Sequence, residues 1–198
     1  MCGPSGITIN VTCADPEEVP PDLVRRCVER VIFTHPFLVS RVAMPRHLVI
    51  EVSVSAHSCT GIQHGAYPST GHISLELNEI SLFAQDGSFE VSEDQVLKIL
   101  YHEFGHFIDA RLDPNFRYDH DRRPPQGPMR VAYYHLWDAY IDGRLGEFAP
   151  YTLQERQNEA AKCQAALPEA AIASIWSGPP VSFDEILSLA ERYTSPIG

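Results

Sequence analysis

His102-Glu103-Phe104-Gly105-His106 reads H-E-x-x-H and sits near the middle of the chain. Ten residues upstream, Ser92-Glu93-Asp94-Gln95 has the form of a capping box, with acidic side chains in the first turn. Leu97, Leu100, Phe104, Phe107 and Ile108 then recur at helical spacing, and Pro114 bars extension much beyond Asp113. The motif is therefore expected well inside a helix that starts near Ser92. On that helix His102 and His106 are four apart and share a face, so both imidazoles can reach one metal ion. Glu103 lies one step round, where its carboxylate can approach a water on that metal. Neutral imidazoles suit Zn²⁺, and two protein ligands leave room for a third and a water. Such a metal makes water acidic enough to react near neutral pH, and Glu103 is the expected base. Gly105 costs about 1 kcal/mol in a helix relative to alanine, so close packing is expected around it.

A second helix is expected from Met129 to about Phe148. Tyr134, Trp137, Ile141, Leu145 and Phe148 recur there at steps of three and four. Asp138 and Asp142 flank this apolar stripe and share a face, where like charges repel. Partly buried, they also pay desolvation unless a cation or a hydrogen-bond donor offsets it. A metal held by one carboxylate, with the other accepting from a ligand imidazole, satisfies both. The alternative is two solvated acids paired with Arg130 and Arg144.

H-E-x-x-H followed by a helix bearing an acid-x-x-x-Asp pair resembles the zincin metallopeptidases. Within them the chain looks most like the gluzincins, and especially their small members, the minigluzincins. The resemblance implies His102 and His106 as zinc ligands, Glu103 as general base, Asp138 as third ligand and Asp142 as the support of a ligand histidine. One departure stands out: the family usually has Glu as third ligand, and Asp138 is a methylene shorter. Either the two helices sit closer, or Asp142 is the ligand. Asp138 is favoured, since only that choice leaves an Asp in the supporting place.

Other polar residues compete for roles. Asp109 lies on the face of His102, but a rigid helix rarely supplies three ligands to one tetrahedral site, so it is expected near the site or on the surface. His120, in the polar segment from Arg117 to Arg123, is either a solvated loop histidine, a ligand or a donor to a developing oxyanion. Tyr133, Tyr134 and His135 precede Asp138 by one turn. Tyr134, His135 and His120 are the candidates for stabilising a tetrahedral intermediate.

Composition frames these expectations. At 198 residues the chain is expected to be a single domain, 1–198, with a sheet-rich part over 1–91 and a helical, metal-bearing part over 92–198. No apolar run is long enough to span a bilayer, and residues Met1 to Asn10 lack the form of a secretory signal. The net charge of −11 argues against nucleic acid and anionic membranes as partners. Five cysteines without a C-x-x-C suit a reducing compartment, and a cytoplasmic protein is expected. Cys27, among Val24, Val28, Val31 and Ile32, reads as a small core residue.

The remaining pattern predicts an α+β fold: a short mixed sheet with an exposed edge strand, packed on the motif helix, and further C-terminal helices. Ile7, Ile9 and Val11 mark a first strand, 22–33 an amphipathic helix, and His47 to Ser55 a second strand. His57 to Thr70 reads as a loop, with His57, His64 and His72 scattered in or beside it. Gly71 to Asn78 alternates strictly and reads as the edge. In zincins the strand before the motif helix holds extended substrate, which implies Ile73, Ser74, Leu75 and Glu76 as substrate-binding residues. The alternative is a plain covered edge. Thr152 to Leu167, with an apolar face of Leu153, Cys163, Ala166 and Leu167, and Ser182 to Tyr193 read as helices split by Ser177-Gly178-Pro179-Pro180. They either close the lower side of a cleft or occlude it, which would make the protein self-inhibited.

The expected activity is hydrolysis of a peptide or protein substrate by a metal-activated water, with one Zn²⁺ per chain. The alternatives are a zincin-fold regulatory or binding protein with little turnover, a structural domain with a coincidental motif, or a hydrolase of small-molecule amides or esters.

Overall fold

Ile7, Ile9 and Val11 point to one face and Thr8, Asn10 and Thr12 to the other, and this alternation becomes strand β1 (Ile7–Cys13). A computed structural model describes residues 7–14, 19–37, 48–55, 64–65, 72–78, 92–122, 124, 126–162 and 167–194. The chain is mixed α and β and divides into two compact units, Met1–Leu112 and Asp113–Gly198. The sheet-rich and helical parts were expected to meet at 91/92. The first compact unit runs to Leu112 and includes the motif helix as well as the sheet.

In the first unit β1 is followed by α1 (Pro21–Thr34), β2 (Leu48–Ser55), β3 (His64–Gly65), β4 (His72–Asn78) and α2 (Glu93–Arg111). The sheet runs β1-β2-β4-β3. β1 and β2 are parallel, as are β2 and β4, while β3 is antiparallel to β4. Ile50, Val52 and Val54 of β2 are buried and Glu51 and Ser53 exposed, the half-buried pattern expected of it. α1 starts with Pro21 in its first turn and buries Val24, Cys27, Val28, Val31 and Ile32. It packs on β1 and α2. Arg25 adds a bond from Nη1 to the carbonyl of Ile9 at 2.6 Å. Burial pushes the Cys27 thiol up to about 11, consistent with a core residue.

β4 is not the bare edge that its alternation suggests. His64 opposes Leu75 and Gly65 opposes Ser74, so β4 is paired on both sides there. A two-residue strand is too short for alternation to register, which is why 57–70 reads as loop. The rest of that segment, including His57, lies outside the described residues, as do the side chains of β3 and β4.

α2 begins where its cap predicts. Ser92 Oγ accepts from the backbone N–H of Gln95 at 3.2 Å. Ser92→Ala should lower stability by about 1 kcal/mol, and urea denaturation of the two proteins checks it. The helix ends at Arg111, ahead of Pro114. Every residue from Val96 to Asp109 except Lys98 is buried, Gly105 among them. Asp109, expected near the site or on the surface, is 1% exposed and so not a surface residue.

The second unit holds a 3₁₀ turn (His120–Arg122), α3 (Pro128–Leu145), a 3₁₀ turn (Gly146–Phe148), α4 (Leu153–Lys162), α5 (Glu169–Trp176) and α6 (Phe183–Thr194). α3 packs against α4, α5 and α6. Gly146, at φ +58°, ends α3, and its N–H bonds the carbonyl of Asp142. Trp137, Ile141 and Leu145 are buried as expected, but Tyr134 is 45% exposed and Phe148 37%. The inward side also carries Tyr133, Leu136 and Tyr140, so the buried stripe is wider than, and rotated from, the expected one. Phe116, Tyr118, Tyr133, Trp137 and Phe183 form an aromatic cluster, with Phe116 stacked on Trp137 at 5.3 Å between centroids.

α4 and α6 each open on a reciprocal capping box. Glu155 Oε2 accepts from the Thr152 N–H at 2.7 Å, and Glu185 Oε2 from the Ser182 N–H at 2.7 Å. Of the expected apolar face of α4, Leu153 and Leu167 are half-buried and Cys163 and Ala166 lie outside the described residues; the buried residues of the helix are Arg156 and Ala160. α5 is absent from the sequence reading because it is short and apolar, without a polar face to reveal its period. Ala171, Ile172 and Ile175 are buried. Its last turn presses on α3: a Cβ at Gly143 would lie 2.1 Å from the carbonyl oxygen of Trp176.

Candidate functional site

In the first unit α2 carries His102, Glu103 and His106, which are 5%, 2% and 7% exposed. The four-residue step brings the two imidazoles together. Their Nε2 atoms are 3.1 Å apart, with ring centroids at 4.8 Å and planes at 82°. Two ring nitrogens this close either share a proton, one N–H donating to the other's lone pair, or turn both lone pairs to one cation. A tetrahedral zinc with Zn–N bonds of about 2.05 Å needs a nitrogen–nitrogen spacing of about 3.3 Å. The observed spacing is close to that value. The two imidazoles therefore fit such an ion with little movement. Glu103 places a carboxylate in the same buried stretch, and Asp109 a second one, one turn beyond His106.

α2 is anchored just before the motif. His35, fully buried at the end of α1, donates from Nε2 to the carbonyl of Tyr101 at 2.8 Å and accepts from the Phe37 N–H at Nδ1. A carbonyl only accepts and an amide N–H only donates, so these partners specify a neutral ring. Thr34 Oγ1 and Tyr101 Oη share a hydrogen bond at 2.6 Å. Sequence reasoning missed His35: one histidine at a helix end carries no pattern.

In the second unit α3 carries Tyr134, His135, Asp138 and Asp142. The structure brings the two aspartates together through Arg156 of α4. Its Nε donates to Asp142 Oδ2 at 2.5 Å, and its Nη1 to Asp138 Oδ2 at 3.4 Å and Glu159 Oε2 at 3.1 Å. The guanidinium also stacks on Tyr151, 4.2 Å from the ring centroid. Arg156 is 6% exposed and Asp142 0%. Burial works against the Arg156 charge, but Asp138, Asp142 and Glu159 more than offset it and raise its pKa. Thus Arg156 is a partner of both aspartates, and Asp142, fully buried, is not a solvated acid. Arg130 bonds the carbonyl of Pro124 and Arg144 lies over the ring of Tyr140.

His135 is half-buried one turn before Asp138. Burial lowers its pKa, with Asp138 pulling the other way, and its Nδ1 has no hydrogen-bond partner among the described residues. Tyr134 is exposed, while Tyr133 is buried. His120 opens the 3₁₀ turn, and its side chain lies outside the described residues. Ile73, Ser74, Leu75 and Glu76 all lie on β4. At Ser74 and Leu75 the outer backbone is already paired with β3, so a peptide strand cannot add there in this arrangement.

No family model matches this chain, and no curated protein or solved structure matches it.

Proposed function

We propose that the chain is a zinc-dependent metallopeptidase of the zincin kind, most like the minigluzincins. The observation that carries this is the buried His102–Glu103–His106 arrangement, with imidazole nitrogens 3.1 Å apart on one helix face. For the metal, His102 and His106 each offer an imidazole nitrogen, and the resemblance to the minigluzincins names Asp138 as the carboxylate ligand. Two nitrogens and one oxygen, with a position left for water, are a donor set that zinc accepts in hydrolases. Bound there, the metal supplies a Lewis acid that acidifies water and polarises a carbonyl.

Glu103 takes the proton of the attacking water on its carboxylate and passes it to the amine nitrogen as the peptide bond breaks. Its burial removes competing solvent from the carboxylate, which favours that exchange. His135, with a neutral ring favoured by burial, is the side chain of α3 best suited to donate to the oxyanion that forms. Tyr134 and His120 remain the other candidates for that role.

Elemental analysis of protein purified without an affinity-tag metal tests this reading. About one zinc per chain is expected. His102→Ala and His106→Ala should each weaken zinc binding by more than about 100-fold, beyond what loss of an outer partner does. Cleavage of a fluorogenic peptide library should stop with a chelator and return with zinc. No metal in the protein, and none taken up from added zinc, would remove the basis for a hydrolase.

A further inference from the structure

We propose, resting on the reading of His102 and His106 as metal ligands, that His35 is a positioning residue for that pair. It holds the backbone of Tyr101, the residue before His102, from the back of α2. His35 follows the last residue of α1 and is fully buried. Its Nε2–H donates to the Tyr101 carbonyl at 2.8 Å, and its Nδ1 accepts from the Phe37 N–H at 3.2 Å. In a regular α-helix that same carbonyl also accepts from the N–H of Gly105, four residues on. One oxygen thus ties the turn that spells the motif both to itself and to the end of α1. The Tyr101 hydroxyl is held as well. Thr34 Oγ1 donates to the carbonyl of Arg30 at 2.7 Å, so it accepts from Tyr101 Oη at 2.6 Å.

Helix geometry makes this a support and not a ligand. At about 100° per residue, Tyr101 and Phe104 point about 150° away from His102 and His106. The His35 ring lies beside both, its centroid 5.6 Å from that of Tyr101 and 6.5 Å from that of Phe104. It therefore meets α2 on the side opposite the two ligand imidazoles, and acts on them through the helix. Metal ligands must be held to within about 0.5 Å of their productive geometry. The Nε2 atoms of His102 and His106 already sit 3.1 Å apart, so a small turn of this segment would spoil the pair. The apolar side chains that α1 buries, Val24, Val28 and Val31 among them, attract without direction. A hydrogen bond to one carbonyl has direction, so it fixes rotation as well as distance.

Cobalt(II) titration of the full-length chain, followed by its visible d–d absorption, tests the inference. Wild type should bind one cobalt. His35→Ala, with its fold checked by circular dichroism, should bind about 10-fold more weakly and show a shifted band at saturation. His35→Gln keeps an N–H at the reach of Nε2 and should recover both affinity and band. His35→Asn reaches the Phe37 N–H but not the Tyr101 carbonyl, so it should resemble alanine. Val28→Ala trims a fully buried side chain of α1 but keeps the His35 bond to Tyr101, and should bind as wild type does. If alanine at 35 fails to fold, the glutamine and asparagine variants decide, and equal affinity and spectrum in those two overturns the positioning role. If wild type binds cobalt and His35→Ala matches it, or Val28→Ala shows the same loss and shift, the positioning role is overturned and the metal reading stands. If wild type binds no cobalt, the metal reading itself fails and the inference falls with it.

Discussion

Glu103→Gln should lower peptide turnover by about 10³-fold while leaving zinc content unchanged. Glutamine matches glutamate in volume, which matters at a position only 2% exposed. It keeps a carbonyl oxygen to hold water but has no carboxylate to take a proton. A loss of about 10³-fold corresponds to about 4 kcal/mol of transition-state stabilisation. Because Glu103 is assigned to proton transfer and not to the metal, the two readouts should separate. Initial rates with a fluorogenic peptide and zinc by elemental analysis measure them independently. Unchanged turnover would move the base elsewhere, and lost zinc would make Glu103 a ligand.

Gly143→Ala should destabilise the protein by about 3 kcal/mol. Two effects oppose each other at this position. Alanine is the better helix former, worth about 1 kcal/mol in an exposed helix interior. Against that, the new methyl would lie 2.1 Å from the Trp176 carbonyl oxygen and 2.8 Å from its carbonyl carbon. Those atoms are backbone, so no rotamer change relieves the clash, and α3 and α5 must part by about 1 Å. Opening a packed helix pair costs more than propensity returns, so the sign is destabilising. Urea denaturation decides it: a raised midpoint would mean that α5 yields easily and that the contact with α3 contributes little.

Much of the candidate site was legible because it is local. A helix places residues four apart on one face whatever surrounds it, so His102 and His106 could be paired from spacing alone. The start of α2 was legible for the same reason: Ser92 and the N–H it caps are three residues apart. The strands β1 and β2 followed from alternation, and α1 from its apolar stripe. α3 was found but its orientation was not. It is buried on most sides, and periodicity loses its meaning when there is little polar face to contrast. Hence Tyr134 was expected in the stripe that Tyr133 in fact occupies.

What tertiary structure alone decided is what lies across long separations. Arg156 sits in Leu153–Lys162, a helix of polar composition where an arginine reads as solvated. Its burial against Asp142, 14 residues away, and Asp138, 18 away, follows from α4 packing on α3. Likewise β3 closes over β4 although two residues have no period to read. The sequence by itself determined a helix that presents two imidazoles and a carboxylate in register, since backbone geometry enforces it. Which acid on α3 is held, and by what, was decided by tertiary structure, because a buried charge finds its partner only when the chain has folded around both.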